Sequence, residues 1–220
     1  MTARRTVFFL SIALCATPSF AAESISKVNG SITAEAGQAY GGLQTVNGSI
    51  HIASGASTDD AGTVNGGIDV GDKATVGALE TVNGGIKLGR QVTVDGSIET
   101  VNGSIFVDRG GKVKGGVETV NGAIGLVGTH LGGDIVTVRG NVTVGIDSHV
   151  TGGLRVEKSS GMFNLESKKS QRIVIGPNAV VEGPLVFERD VTLYVHRSAR
   201  TGKISGATAT PYATDTAPQD

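Results

Sequence analysis

The chain has 220 residues, of which 34 are Gly, 5 are Pro and none is Trp, and its formal net charge is −1. Abundant glycine with little proline excludes a collagen-type or proline-rich chain, and a charge near zero excludes the basic field by which proteins attract nucleic acid. Hydrophobic residues make up 39% of the chain and aromatic residues 4%, so we expect a folded protein with an aliphatic core.

Residues 1–22 have the features of a secretory signal peptide. Arg4 and Arg5 are followed by an apolar segment over residues 7–16, and a small-x-small cleavage motif ends at Ala21. The apolar segment is too short to span a bilayer comfortably. Cleavage near Ala21 removes Cys15, which leaves a mature chain without disulfides or thiol chemistry, and the loss of two arginines changes the net charge from −1 to −3. The sequence therefore predicts a periplasmic or secreted protein with no transmembrane anchor in the mature chain.

A repeated pentapeptide dominates the mature chain. Val-Asn-Gly, a small residue and Ile occur together six times, and a degenerate copy occupies residues 138–142. The copies recur every 18 or 19 residues, beginning at Val28, Val46, Val64, Val82, Val101, Val120 and Val138. So constant a step is typical of solenoids, in which each repeat forms one coil.

Aliphatic residues within each repeat alternate with a period of two, which indicates short strands. Dense glycine and β-branched residues disfavour helix. The burial of about six aliphatic side chains cannot offset the cost of ordering one coil, so the coils must stack. We predict an all-β fold, a single parallel, three-sided β-solenoid with 18–19 residues per coil. The side chains expected to face inward in one coil are Ile86, Leu88, Val92, Val94, Ile98 and Val101.

Stacked coils superimpose equivalent residues, which predicts two structural rows at the Asn-Gly corner. A ladder of hydrogen-bonded amides is expected along Asn29, Asn47, Asn65, Asn83, Asn102 and Asn121. Corner glycines with positive φ are expected at Gly30, Gly48, Gly66, Gly84, Gly103, Gly122 and Gly140.

A row of threonines accompanies the asparagines. Its members are Thr45, Thr63, Thr81, Thr100, Thr119 and Thr137. A regular Thr-x-Asn strip resembles the flat face of ice-binding solenoids, but Glu80, Glu99 and Glu118 stand beside these threonines. We therefore interpret the threonines as a β-branched row that supports the strand.

The chain outside the repeat divides into shorter segments. We expect the repeat solenoid to occupy residues 23–157, an irregular loop or insertion residues 158–172, capping coils residues 173–206, and a disordered tail residues 207–220. In the capping coils, Phe187 and Tyr194 are expected to close the end of the core.

Candidate reactive residues are sparse. We predict that the four histidines (His51, His130, His149 and His196) lie at different phases of the repeat as solvated side chains, and no pair has the spacing of metal ligands. Asp59 and Asp60 form an adjacent acidic pair, for which turn formation, weak cation binding and acid catalysis remain open. We therefore predict no catalytic, cofactor-binding or metal-binding residues, no cofactor, and a protein that is not an enzyme.

The repeated Thr-Val-Asn-Gly-small-Ile motif resembles the glycine-rich β-strand repeats of adhesin-like bacterial envelope proteins. Residues 173–206, which contain Ile-Gly-Pro-Asn-Ala-Val-Val-Glu-Gly, are similar to coils of the bactofilins, which are polymer-forming bacterial scaffold proteins. Bactofilins are cytoplasmic and lack signal peptides, and this chain differs from them in its first twenty residues. Together the resemblances imply a structural β-solenoid of the cell envelope.

These observations predict an exported, non-enzymatic structural or adhesion-type protein of the bacterial envelope. A polysaccharide-acting β-helix enzyme is one alternative, and a polymer-forming scaffold of the bactofilin type is the second. Envelope polysaccharide or another copy of the chain are the partners that these interpretations suggest, and nucleic acid is not among them.

Overall fold

A computed structural model describes residues 22–158 and 170–218 of the chain. These residues form an all-β parallel solenoid of about 10 turns with about 18 residues per turn, so the predicted fold is confirmed. The signal segment over residues 1–21 and the central part of the expected irregular loop, residues 159–169, lie outside the described residues.

Each coil contributes strands to three faces, and the strands are numbered along the chain. Face 1 is a ten-stranded parallel sheet made of β2 (Ile32–Ala34), β4 (Ile50–Ile52), β7 (Ile68–Val70), β10 (Ile86–Leu88), β13 (Ile105–Val107), β16 (Ile124–Leu126), β19 (Val142–Val144), β22 (Gln171–Ile175), β25 (Val191–His196) and β28 (Ala209–Tyr212).

Faces 2 and 3 join into one 18-stranded sheet. Face 2 consists of two-residue strands, which are β5 (Ser57–Thr58), β8 (Thr75–Val76), β11 (Thr93–Val94), β14 (Lys112–Val113), β17 (His130–Leu131), β20 (His149–Val150), β23 (Val180–Val181) and β26 (Arg200–Thr201). Face 3 consists of β1 (Glu23–Asn29), β3 (Ala39–Asn47), β6 (Ala61–Asn65), β9 (Leu79–Asn83), β12 (Ile98–Asn102), β15 (Val117–Asn121), β18 (Ile135–Arg139), β21 (Leu154–Val156), β24 (Leu185–Phe187) and β27 (Ile204–Ser205). The long strand β3 spans both faces, since it pairs with β5 and with β6.

The register between coils places each residue beside its equivalent one repeat away. Ile86, for example, pairs with Ile68 on one side and with Ile105 on the other. Because the same side chain recurs at the same place, the interior is a stack of Ile, Val and Leu layers. Five of the six side chains expected to face inward in one coil are buried, namely Ile86, Leu88, Val92, Val94 and Ile98.

The sixth, Val101, faces solvent and is 40% exposed, so its predicted inward position is wrong. Side chains alternate along a strand, and with Ile98 inside, the next inward position is Thr100 rather than Val101. Thr100 is 4% exposed. On face 3 the threonines therefore line the core and the valines of the motif form the outer surface.

The corner geometry also differs from the sequence prediction. Of the seven corner glycines, only Gly30 and Gly140 have positive φ. The interior ones are required for space, because a Cβ on Gly84 would overlap the carbonyl oxygen of Gly66 one coil earlier. Left-handed residues occur instead at the turn between faces 1 and 2, at Gly37, Gly55, Lys73, Gln91, Gly110, Gly128, Asp147 and Asn178.

One coil is longer than the others. Val142 on β19 pairs with Ile173 on β22, 31 residues later, whereas other coils contain about 18 residues. The predicted C-terminal boundary of the irregular segment 158–172 is wrong, because Gln171 and Arg172 already belong to β22. The Gln171 amide Nε2 donates to the carbonyl oxygens of Val138 and Gly140 at 3.1 and 3.3 Å, which fixes the returning strand.

The C-terminal segment is ordered where disorder was expected. Residues 209–212 form β28, which pairs with β25, and the side chain of Tyr212 is buried. Tyr212 packs with Val174 and Tyr194 in a small cluster that is separate from the main core. Tyr194 therefore does not close the core, because its neighbour Leu193 takes the inward position on β25, whereas Phe187 does lie in the core.

Candidate functional site

Face 3 carries the repeated motif, and its strands set which residues reach solvent. In β9 the burial pattern places Leu79 and Thr81 inside and Glu80 and Val82 outside, with Asn83 at the following corner. The strands β12 and β15 repeat this order. The outer surface of face 3 is therefore built from parallel rows of equivalent residues that run along the rod.

The hydroxyl groups of five inward threonines donate hydrogen bonds to the preceding coil. The Thr81 hydroxyl donates to the carbonyl oxygen of Gly66 at 2.9 Å, and the equivalent bonds measure 2.8–3.0 Å in four other coils. These bonds begin at Thr45, Thr63, Thr100 and Thr119. Because the threonines are buried, they cannot form the exposed strip on which the likeness to ice-binding solenoids rested.

The six asparagines lie in one continuous row at the corner after face 3. Each Nδ2 donates to the Oδ1 of the asparagine one coil earlier, at 2.9–3.0 Å, from Asn47→Asn29 through to Asn121→Asn102. An interior member such as Asn83 both donates and accepts, and it uses one of its two amide hydrogens to do so. The row thus holds the amide groups in a fixed orientation along the edge of the surface.

A row of exposed valines runs between the asparagines and the outward glutamates. We call Val28, Val46, Val64, Val82, Val101 and Val120 the Val row. Four consecutive members, Val46 to Val101, are 39–40% exposed, and Val28 at the N-terminal end is 68% exposed. A contiguous row of exposed apolar side chains is a feature that binding surfaces commonly share, which makes face 3 the candidate site.

Three glutamates form a second outward row on the same strands. Glu99 pairs directly with Glu80 on one side and Glu118 on the other, and we call these three the Glu row. Burial raises the pKa of Glu118, and the neighbouring carboxylates Glu99 and then Glu157 raise it further. Like charges on adjacent strands repel, so this row holds unfavourable negative charge.

The two rows line one shallow groove on face 3. Its volume is about 540 Å³, and it extends from Ser26 and Lys27 at the N-terminal end to Glu118 and Val120. Valines line the groove along its length, whereas the glutamates Glu80, Glu99 and Glu118 line only its C-terminal half, and Lys27 lies at its N-terminal end. The groove can therefore offer both apolar contact and a line of carboxylates to a ligand that lies along the rod.

Two histidines that were expected at different phases of the repeat lie side by side on face 2. His130 pairs with His149 in neighbouring strands, because 19 residues are one coil. Their rings make an edge-to-face contact with centroids 4.9 Å apart, and His149 Nε2 lies 2.6 Å from Glu182 Oε1. The prediction of dispersed histidines is wrong for this pair, although within residues 22–158 and 170–218 no group of three or more His, Cys, Asp or Glu is placed to hold a metal ion.

The acidic pair at Asp59–Asp60 takes part in turn formation. Asp60 Oδ1 accepts the backbone N–H of Ala78, one coil further on, at 2.7 Å. Of the three interpretations that the sequence left open, this contact favours the turn.

Comparison with known proteins adds no relative, since no protein-family model, curated protein or solved structure matches the chain. The part of the chain that the structure describes also contains no helix long and apolar enough to cross a membrane.

The sequence predicts the Asn row, and it places Glu80, Glu99 and Glu118 beside the threonines without predicting a functional row there. The outward Val row was not predicted. The signal was present in the alternation itself, because counting from Ile98 in steps of two reaches Thr100 and leaves Val101 outside. Hydrophobicity alone suggested the opposite assignment, since valine is usually buried and threonine usually exposed.

Proposed function

We propose that this protein is an exported, non-enzymatic β-solenoid of the bacterial cell envelope, with a structural or adhesion role, and that face 3 is its binding surface. The observation that supports this proposal is the Val row, with four consecutive valines 39–40% exposed in one groove. The apparent signal peptide and the resemblance to envelope repeat proteins supply the expected location.

The repetition of the surface favours an extended partner over a small substrate. Neighbouring strands lie about 4.8 Å apart, so face 3 offers the same groups at that interval along the rod. A catalytic site instead brings different reactive groups together at one point. A groove that repeats valine in five coils and glutamate in three of them is better suited to bind an extended chain than to catalyse a reaction.

Retention on bacterial envelopes tests this proposal. The full-length chain is expressed in a bacterial host, and the exported protein is mixed with isolated cell envelopes and sedimented. The variant Val64→Thr/Val82→Thr/Val101→Thr keeps β-branched side chains on the strands and removes the apolar row. We expect the wild type to sediment with the envelopes and this variant to stay in the supernatant.

The matched control changes exposed apolar residues elsewhere. Phe106 and Ile146 are 38% and 40% exposed and lie off face 3, so Phe106→Thr/Ile146→Thr is expected to leave sedimentation unchanged. Equal retention of the wild type and the Val-row variant would refute binding through face 3. Release of oligosaccharides from envelope polysaccharide would instead support the enzyme alternative, and filaments in negative-stain micrographs would support the polymer-forming alternative.

A further inference from the structure

We propose that the groove on face 3 binds an extended, lysine-rich polypeptide segment, whose aliphatic stems lie on the Val row and whose ammonium groups reach the Glu row. This inference rests on the proposed function, because it names the partner of the same surface.

The charge of the Glu row is not neutralised within the described part of the chain. The ion pairs found there involve Asp95, Asp108, Glu157 and Glu182, and none involves Glu80, Glu99 or Glu118. The Glu row has a single side-chain hydrogen bond in these residues, from Ser97 Oγ to Glu99 Oε1 at 2.7 Å. A cation placed between two of these carboxylates would relieve their mutual repulsion, so the C-terminal half of the groove, away from Lys27, favours a positively charged partner.

The width of the groove selects the kind of cation. Val82 and Glu80 stand two residues apart on β9, so their side chains emerge about 7 Å from each other. Lysine has a flexible four-carbon stem that lies along apolar surface while its ammonium group reaches a polar site beyond it. A metal ion or an amino sugar carries no such stem and would leave the valines uncovered. Lysine side chains therefore match both rows at once.

The spacing of the glutamates suits a polyproline II conformation. Glu80 and Glu118 are two coils apart, which corresponds to about 9.6 Å. In a polyproline II chain every third side chain returns to the same side after about 9.3 Å. Lysines at every third residue would therefore place successive ammonium groups beside Glu80 and Glu118.

A second copy of this protein is a poorer occupant of the groove. Within the groove the Val row covers five coils and the Glu row three, and together they are two side chains wide. Face-to-face packing would therefore bury on the order of 300 Å² per copy at most, against about 800 Å² in a standard interface. In the arrangement that places Glu row on Glu row, like charges would also meet. A single extended basic segment does not need the large contact area of a protein–protein interface, and it brings positive rather than negative charge to the Glu row.

Peptide binding to the mature protein tests the inference. The probe is a fluorescein-labelled peptide of four Lys-Pro-Pro repeats, titrated by fluorescence anisotropy at low and at physiological ionic strength. We expect saturable binding that weakens with salt. The variant Glu80→Gln/Glu99→Gln/Glu118→Gln should weaken it about tenfold, as expected for the loss of several exposed ion pairs.

Matched controls separate a specific groove from general electrostatic attraction. The variant Glu35→Gln/Asp69→Asn/Asp190→Asn makes the same change in net charge at positions outside the groove, and it should bind like the wild type. A Gln-Pro-Pro peptide should not bind, and a peptide with the same number of lysines at every second residue should bind more weakly. Equal binding by the two triple variants, or by the lysine and glutamine peptides, would overturn the inference, and equal affinity for the two lysine spacings would overturn the polyproline II geometry.

The two proposals can fail separately. If the Val-row variant loses envelope binding but the lysine peptide does not bind the wild type, the partner is not a basic segment, whereas face 3 remains the binding surface. If the Val-row variant sediments like the wild type, the proposed function fails whatever the peptide does.

Discussion

The threonines of face 3 occupy core positions with a polar side chain, and five of these positions are tolerated because the hydroxyl has an acceptor in the preceding coil. Thr81 has this acceptor, the carbonyl oxygen of Gly66. Thr137 is equally buried, but its hydroxyl has no hydrogen-bond partner in the described residues. Since an unsatisfied buried hydroxyl is costly and a satisfied one is not, the two positions should respond oppositely to the same isosteric change.

We therefore expect Thr81→Val to lower the free energy of unfolding by about 1 kcal/mol and Thr137→Val to leave it unchanged or raise it by up to about 1 kcal/mol. Valine matches threonine in shape, so packing is preserved and the comparison isolates the hydroxyl. Urea denaturation of the purified mature variants measures the difference. Equal destabilisation by both substitutions would contradict this account of the threonine row.

Glu118 gives face 3 a pH dependence whose sign follows from the direction of its pKa shift. Burial and the carboxylates of Glu99 and Glu157 raise its pKa above the ordinary value of 4.5, so the folded state binds this proton more tightly than the unfolded state. Ionised Glu118 therefore destabilises the fold above its raised pKa, and the penalty disappears as the pH falls below about 4.5.

We expect Glu118→Gln to raise the free energy of unfolding near pH 7 by a few tenths of a kcal/mol, because solvent screens an exposed carboxylate. The gain should vanish near pH 3.5, where the glutamate itself is protonated. Denaturation curves at both values measure the effect, and Glu35→Gln, which lies off face 3, serves as the control. A gain of the same size at both pH values would rule out the charge of Glu118 as its cause.

At the scale of the strand and its corner, close contact between coils determines where glycine is obligatory. A Cβ on Gly84 would overlap the backbone of Gly66. On the same face, a Cβ on Gly62 would have its nearest neighbour, the carbonyl oxygen of Glu80, at 3.9 Å. Both residues lie outside the left-handed region, so their difference is one of space alone.

Gly84→Ala should therefore destabilise the protein by about 2–3 kcal/mol and lower Tm by about 5–10 °C, because the two coils must separate. Gly62→Ala should be neutral or stabilise by about 0.5 kcal/mol, because alanine restricts the unfolded chain. Thermal unfolding followed by circular dichroism measures both. Similar Tm values for the two variants would show that the corner adapts and that the close approach is not limiting.

The repeat makes the strands of this protein predictable from the sequence, but the outward orientation of the Val row is harder to predict. The step of 18 or 19 residues gives the coil length and the Asn row because only stacking can superimpose identical pentapeptides. Val101 was expected inside because valine is usually buried. The sequence does not show that the Thr100 hydroxyl, which takes the inward position instead, has an acceptor in the carbonyl oxygen of Gly84 in the preceding coil. The apolar wall of the candidate groove depends on this orientation, which the alternation from Ile98 indicates and the buried hydrogen bond of Thr100 makes possible.

At the scale of the whole molecule, a rod of stacked coils is vulnerable at its ends, where strands have only one neighbour. At the C-terminal end, β28 covers the last long strand of face 1, β25, along Leu193–His196. Tyr212 anchors it through packing against Tyr194 and through a hydrogen bond from its hydroxyl to the carbonyl oxygen of Ile175 at 3.3 Å. The segment that the sequence predicted to be disordered thus protects an edge, a role that its composition does not reveal because only one aromatic residue carries it.

Deletion of residues 207–220 should expose β25 along its free edge and leave Val174 and Tyr194 without their cover. An uncovered strand with adjacent apolar side chains is a template for pairing with other molecules. We therefore expect this truncation to form larger assemblies than the wild type and to melt at a lower temperature, as measured by size-exclusion chromatography with light scattering and by thermal unfolding. Deletion of residues 213–220 keeps β28 and Tyr212, so it should retain the wild-type assembly state. If both truncations match the wild type in assembly and Tm, β28 does not protect the edge, and the last coil must be stable on its own.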